Sequence, residues 1–277
     1  MNNASITRAL LAAAAGAIFL LERRRPLRAQ LDPTRARVAR NAAVGAITGA
    51  TVGMLERPVT ARLTRLAMQR RWGIVSRMHA PPIVRQMLAV ALMDYTLYLW
   101  HVLLHRVPFL WRCHAAHHAD VDLDASTALR FHVLEFIASI PWRAAQITLI
   151  GVTPRVFAAW QQLTAAEVLF HHSNIRVPPR VERWLGAAVM TPRLHGLHHS
   201  VVAAERNSNY SSGLTVWDML HGTHRPFRAG QRVTIGLPEY RNPDALTLGA
   251  TLLLPITPAA AMSAPDEESA LQQRVQV

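Results

Sequence analysis

The sequence contains no lysine: all 30 basic residues are arginine, against 17 acidic residues, and the formal net charge is +13. It also lacks zinc-finger spacing, an aromatic RNA-binding signature and a basic region followed by heptads, so the charge does not indicate nucleic-acid binding. An anionic membrane surface is the other common partner of such charge, and long apolar runs beside the arginine clusters favour it. The bias towards arginine and alanine is typical of a GC-rich bacterial genome.

Cysteine is nearly absent as well. The single Cys113 excludes an internal disulfide, and a lone cysteine is usually a small buried hydrophobic residue, so we leave it out of the predicted site. There is no C-x-x-C pair of an iron–sulfur protein and no G-x-G-x-x-G fingerprint of a flavin or nicotinamide domain. A redox enzyme with this sequence would take its reducing equivalents from a separate protein.

Apolar residues, in contrast, make up 51% of the 277 residues, with a mean hydropathy of +0.12. The first apolar run is followed at once by arginines, which predicts an uncleaved anchor with its N-terminus outside the membrane. We expect an all-α, integral-membrane helical bundle of about four spans or membrane-inserted helices. The apolar segments are residues 4–21, 38–55, 83–100, 134–152 and 156–170.

The remaining segments complete three predicted regions. Residues 56–85 are rich in arginine and predict one interfacial helix, ended by Pro81 and Pro82. The late apolar run 246–256 is too short to span alone, and the tail from residue 263 is predicted to be disordered. We therefore divide the chain into an anchor and interfacial region (1–82), a histidine-rich catalytic region (83–240), and a C-terminal apolar segment with its tail (241–277).

Clustered histidines are the main functional signal. Residues spaced three or four apart leave the same face of a helix, so each cluster aims several imidazoles in one direction. Since neutral imidazole is the commonest metal ligand, three such clusters predict a polynuclear metal site rather than core packing. If residues 83–100 enter the cytoplasm, the following hairpin returns to the same side, and every cluster reaches one membrane face. The three clusters are His101 with His105; His114, His117 and His118; and His195, His198 and His199, and an adjacent pair, His171 and His172, precedes the last.

These ordered boxes resemble the fatty acid hydroxylase and sterol desaturase superfamily. The similarity extends to neighbouring residues over roughly 83–224, including L-D-A-S-T-A-L-R-F-H at 123–132, F-H-H-S-N-I at 170–175, T-P-R-L-H-G-L-H-H at 191–199 and N-Y-S-S-G-L-T-V-W-D at 209–218. The chain departs from the family at His132, which is not followed by proline, and at His224, where relatives tend to have an aromatic residue.

The resemblance implies a membrane-bound, non-haem di-iron oxygenase that uses O2 to hydroxylate or desaturate a lipid C–H bond. Imidazole-rich ligation suits iron, and zinc could replace the two iron ions in a purified sample. The implied partners are a membrane lipid and a separate electron donor, a ferredoxin or a cytochrome with its reductase. The implied location is a bacterial inner membrane, with the histidines in a cytoplasmic di-metal cap. The lipid and the oligomeric state stay open.

The same resemblance implies a set of site residues. His171, His132 and Asp94 are weaker candidates, as ligands or as groups that orient them, and Asp218 and Glu135 are weaker still. The predicted ligands are His101, His105, His114, His117, His118, His172, His195, His198 and His199.

Two other classes of protein compete with an oxygenase. A zinc hydrolase or structural zinc protein would need only three or four ligands, fewer than the nine predicted here. A divalent-metal transporter would place its ligands near the bilayer midplane on interrupted helices, whereas these boxes fall at the ends of apolar segments.

Overall fold

The structure is a computed structural model that describes residues 3–32, 34–228 and 230–257. Across these residues the chain forms α-helices and short helical turns with three isolated bridges and no strands, so the all-α prediction is confirmed. The predicted tail from residue 263 lies outside the described residues. The helices are α1 (Asn3–Arg24), α2 (Arg35–Thr51), α3 (Arg57–Arg70), α4 (Pro82–Arg106), α5 (Pro108–His118), α6 (Val133–Ile150), α7 (Pro154–His172), α8 (Pro179–Gly186), α9 (Pro192–His198), α10 (Ala203–Arg206), α11 (Val216–Leu220) and α12 (Leu248–Leu253).

Local sequence signals set the ends of the helices that matter for the site. Proline occupies the first position of α4, α5, α7 and α9, where its missing N–H costs nothing. Thr153 caps α7 and Thr191 caps α9 through their side-chain oxygens. Helix α6 ends at Ile150 and is followed by Gly151, which adopts a left-handed φ of 89°. The predicted hairpin of residues 134–152 and 156–170 is therefore present as α6 and α7.

The prediction that a single helix extends over residues 56–85 to Pro81 and Pro82 is wrong. Helix α2 continues through a π-helical turn, Val52–Glu56, into α3, and α3 ends at Arg70 rather than at the prolines. The chain turns there because Arg71 adopts a left-handed backbone conformation. Gly73, with φ 79°, then packs directly on the backbone of Gly151. A Cβ at Gly73 would lie 2.1 Å from the nitrogen of Gly151, so this contact requires glycine.

An apolar core joins α3, α4, α6 and α7. Helix α3 contributes Ala67, and α7 contributes Phe157 and Trp160, all less than 9% exposed. Met93 of α4 and Ile147 of α6 are fully buried between them. This packing holds α4, α6 and α7 side by side, so that the histidine-bearing ends of α4 and α7 meet at one end of the bundle.

A buried ionic network ties the N-terminal region to the loop between α5 and α6. Arg37 of α2 binds Asp120 through two guanidinium nitrogens at 2.8 and 2.9 Å, and Asp124 through a third at 2.6 Å. Asn41 donates to Asp120, and Arg130 from the end of the loop donates to Asn41. Because this loop directly follows His118, residues of the predicted anchor region help to position the histidine-rich end.

We expect Arg37→Leu to lower the free energy of unfolding by about 3–5 kcal/mol, because it leaves buried carboxylates without their cation. Arg35→Leu is the matched control, since Arg35 lies on the same helix but is exposed. Thermal or denaturant unfolding of the detergent-solubilised protein measures the difference. Equal stability of the two variants would contradict a stabilising role for the network.

The same network predicts a loss of stability in acid. Burial alone raises the pKa of Asp120, but the charges of Arg37 and Arg130 and the hydrogen bonds from Arg37 and Asn41 outweigh burial and lower it below its ordinary value. The stabilisation that Asp120 contributes to the folded state is thus complete above an aspartate's usual pKa of about 3.9. It disappears as the pH falls through the lower pKa that Asp120 has in the folded protein. Unfolding measured from neutral pH to below about pH 4 should show a shallower decline for Asp120→Asn than for wild type.

Candidate metal centre

Nine buried histidines meet at the end of the bundle where α4, α5, α7 and α9 converge. Their ring nitrogens form two sets, and within each set the candidate ligand atoms lie within 4.8 Å of one another. This spread is close to what ligands about 2 Å from a common ion allow. The first set is His101, His105, His114, His118 and His198; the second set is His117, His172, His195 and His199.

The first set is oriented by hydrogen bonds on the far side of its rings. His101 Nδ1 donates to the carbonyl oxygen of Tyr210 at 2.6 Å, and His114 Nδ1 donates to Glu135 Oε2 at 2.9 Å. A neutral imidazole has one proton, so both Nε2 atoms carry lone pairs. These two Nε2 atoms face each other at 3.2 Å. Two opposed lone pairs repel, and a cation between them would remove the repulsion.

The second set repeats this arrangement. His172 Nδ1 donates to the carbonyl oxygen of Val168 at 2.8 Å, which leaves a lone pair on Nε2. That atom lies 2.9 Å from His117 Nε2 and 3.1 Å from His195 Nε2. His199 Nε2 is in turn 3.1 Å from His195 Nε2. Four ring nitrogens therefore converge on one point, as the ligands of a single ion would.

The protonation state of these side chains also suits a metal. Burial, followed by the neighbouring histidines, lowers the pKa of His117, His118, His195 and His199 well below the ordinary value, so the rings are neutral. Neutral imidazole is the form that ligates. Buried ring nitrogens without a hydrogen-bond partner include Nδ1 of His118 and His199 and Nε2 of His198. The residues present thus fit two closely spaced transition-metal ions.

The two sets are neighbours. The rings of His118 and His199, which belong to different sets, stack with centroids 4.3 Å apart. Those of His117 and His199, both in the second set, are 4.7 Å apart. Two ions held by these sets would therefore share one polar chamber.

The three weaker candidates lie outside both sets. His171 Nδ1 donates to the carbonyl oxygen of Ser212, while its neighbour His172 belongs to the second set. His132 caps α6 by accepting from Leu134 N and donates from Nε2 to Leu252 O. Both are held by backbone groups.

Asp94 is held by other groups: it accepts hydrogen bonds from Trp217 Nε1 and Leu214 N. The carboxylate that does hold a ring is Glu135, which sequence reasoning ranked among the weakest candidates. It lies 21 residues after His114, and its position on the first turn of α6 gave no sign of this contact. Asp218 contacts the backbone segment that holds His101, since it accepts hydrogen bonds from Tyr210 N and Ser211 N.

An apolar cavity of about 320 Å³ opens from the histidines into the bundle. It reaches both sets, since His101 and His114 of the first and His117, His172 and His195 of the second line its inner end. Much of the remaining wall is apolar: Leu97, Trp100, Leu104, Phe131, Phe136 and Val168. The chamber can hold a hydrocarbon beside the metal-binding end.

Comparison with known proteins decides the family. The model of the fatty acid hydroxylase family matches residues 86–223, the segment that contains every histidine of both sets. The chain belongs to the fatty acid hydroxylase and sterol desaturase superfamily. The family resemblance seen in the sequence is therefore confirmed. No solved structure matches this superfamily member.

Several curated relatives of this hydroxylase-family chain carry names of lipid-oxidising enzymes. Ornithine lipid hydroxylase OlsE from Rhizobium tropici is 36% identical over 53% of this chain and 44% of its own length. Alkylglycerol monooxygenase from Homo sapiens is 29% identical over 52% of this chain and 31% of its own length. Cholesterol 25-hydroxylase from Homo sapiens is 29% identical over 48% of each chain. The chain thus spans less than half the length of these relatives.

We expect the purified protein to bind two first-row transition-metal ions per chain, one for each set. His105→Ala in the first set and His199→Ala in the second should each lose one ion, measured by elemental analysis. His79→Ala is the control, since His79 is exposed and belongs to neither set. Unchanged metal content in both set variants would refute the assignment of the sets.

Replacing Glu135 should weaken metal binding without removing a ligand. Groups that hold a ligand imidazole typically affect metal affinity by about 10–100-fold. We expect Glu135→Ala to fall in this range and Glu135→Gln, which keeps a hydrogen-bond acceptor but loses the charge, to lie between it and wild type. Competition with a chelator measures the affinity, with exposed Glu239→Gln as control. Wild-type affinity in Glu135→Ala would contradict this role.

Proposed function

We propose that this protein hydroxylates a lipid C–H bond at a histidine-ligated di-iron centre, with O2 as co-substrate. The observation that carries the proposal is the position of two adjacent sets of buried histidines at the inner end of an apolar cavity. Membership of a family of hydroxylases, and the lipid-oxidising names of several relatives, support the same reaction class.

Iron fits the proposal because cleavage of an unactivated C–H bond needs a redox-active metal, and imidazole ligation suits iron. A lone structural or hydrolytic zinc would use three or four ligands, which leaves the second set unexplained. The reaction consumes O2, two electrons and two protons, and yields the alcohol and water. The nine histidines would hold the metals, while Glu135 orients His114 and the Tyr210 carbonyl orients His101.

The proposed substrate is a membrane lipid. Two helices, α4 and α6, are long and apolar enough to cross a membrane, and only 39% and 33% of their most apolar windows are buried in the protein. A soluble core helix would be mostly buried, so the exposed apolar faces suit contact with lipid. Substrate would then reach the cavity from the bilayer. A four-span bundle in a bacterial inner membrane, with the histidines facing the cytoplasm, remains our proposal for the topology.

The electrons would come from a separate ferredoxin or cytochrome with its reductase. The net charge of +13 suits docking of an acidic donor. Electrostatic docking of this kind weakens with added salt, so an electron-transfer rate independent of salt would contradict it.

Comparing lipids from cells with and without the protein tests the reaction. Mass spectrometry should show a lipid whose mass rises by the 16 Da of one oxygen atom, only when O2 is present. Cells that express His118→Ala should lack the product, whereas His79→Ala should retain it. A loss of two hydrogens instead would identify desaturation, and a hydrolysis product independent of O2 would refute the oxygenase proposal in favour of a zinc hydrolase.

A further inference from the structure

The far end of the apolar cavity is charged. Glu56, at the end of the π-helical turn, and Arg143 of α6 both line it, and they are only 5% and 8% exposed. Arg143 Nε lies 3.8 Å from Glu56 Oε1. Charges inside an apolar helical bundle are costly unless they are paired, and they generally mark functional positions. A cavity built only for hydrocarbon would have no use for them.

The surrounding groups fix the Arg143 side chain. Its Nη1 donates to Gln146 Oε1 at 2.6 Å, and the guanidinium lies over the ring of Trp160 at 4.5 Å. Gln146 donates in turn to Thr96 on α4. These contacts hold the guanidinium plane in place, and they leave its Nε directed at the cavity-lining Glu56.

Four polar atoms at this end have no hydrogen-bond partner although they are buried. They are Arg143 Nε, Trp160 Nε1, Glu56 Oε2 and Thr164 Oγ1, and all four residues line the cavity. Unmet buried donors and acceptors are destabilising, and the penalty is largest for charged groups. These polar atoms include both donors and acceptors, so they are complementary to a group that can accept and donate a hydrogen bond.

The distance from this cluster to the histidines follows from the helices that carry both. Arg143 lies eight residues after Glu135 on α6, and Thr164 lies eight residues before His172 on α7. At the rise of an α-helix, each separation corresponds to about 12 Å along the axis. The two helices, α6 and α7, thus give the same distance of about 12 Å between the polar cluster and the metal-binding end.

We propose that Glu56, Arg143 and Thr164 bind the uncharged polar group of an amphiphilic lipid, a hydroxyl or an amide, whose oxidised carbon lies about 12 Å away. The inference rests on the proposed hydroxylase function for the reacting end. The opposite charges of Glu56 and Arg143 balance each other, so an uncharged group adds no net charge to the site. A carboxylate would face the negative charge of Glu56, and a plain hydrocarbon would leave all of these polar atoms without a hydrogen bond.

Equilibrium binding of labelled dodecanol, dodecane and dodecanoate to the purified full-length protein in detergent micelles tests the proposal. No O2 or reductant is added, so the measurement is independent of catalysis. Wild type should bind dodecanol about tenfold more tightly than dodecane, as expected for a hydrogen bond to a charged group. Arg143→Met should remove this preference and leave dodecane binding unchanged, whereas Arg155→Met, at an exposed position on α7, should retain it.

Equal binding of dodecanol and dodecane by wild type would overturn the proposal, as would an unchanged preference in Arg143→Met. Tighter binding of dodecanoate than of dodecanol would overturn the assignment of an uncharged group. If Arg143→Met does not fold, Thr164→Val removes one polar partner with little change in volume and should reduce the preference. If the protein binds dodecanol selectively but oxidises no lipid, only the hydroxylase proposal is refuted. If it oxidises a lipid but does not bind dodecanol selectively, only the proposed site for a polar group is refuted.

Discussion

The structure depends on the opposition of neutral imidazole nitrogens in a buried chamber. Backbone carbonyls of Tyr210, Val168 and Ser208 accept the Nδ1 protons of His101, His172 and His198, and this fixes which ring nitrogen keeps its lone pair. The remaining nitrogens of these three rings point inward, where Nε2 of His101 and of His172 faces other imidazole nitrogens. A cation would remove the repulsion between opposed lone pairs, so this arrangement of side chains is able to bind metal.

Holding that chamber together requires elements far apart in the chain. The loop after His118 is bound by Arg37 through Asp120 and Asp124, and Glu22 of α1 accepts from the backbone of both Ala125 and Asn174. The N-terminal helices therefore contact the loops on either side of the histidine-rich end. Because buried ion pairs require close geometry to offset desolvation, these contacts restrict how the loops can move.

The cavity connects this chamber to the apolar bundle. Its inner end is lined by histidines of both sets, its walls by aromatic and aliphatic side chains, and its far end by Glu56 and Arg143. A lipid in this cavity would have its reacting carbon at one end and a recognised polar group at the other. These two contacts would together determine which carbon of the lipid lies beside the histidines. Recognition at a distance from the reacting bond is a general way to orient a substrate.

The sequence by itself determined the helical class, the α6–α7 hairpin and the nine clustered histidines, because residues three or four apart share a helix face whatever the fold around them. It missed the end of α3, which depends on the contact between Gly73 and Gly151. Only the tertiary structure divided the histidines into sets, placing His118 and His198 in one and their neighbours His117 and His199 in the other. The physical reason is that consecutive residues on a helix point about 100° apart. The partner of each ring then depends on which helices pack together, which local spacing does not encode.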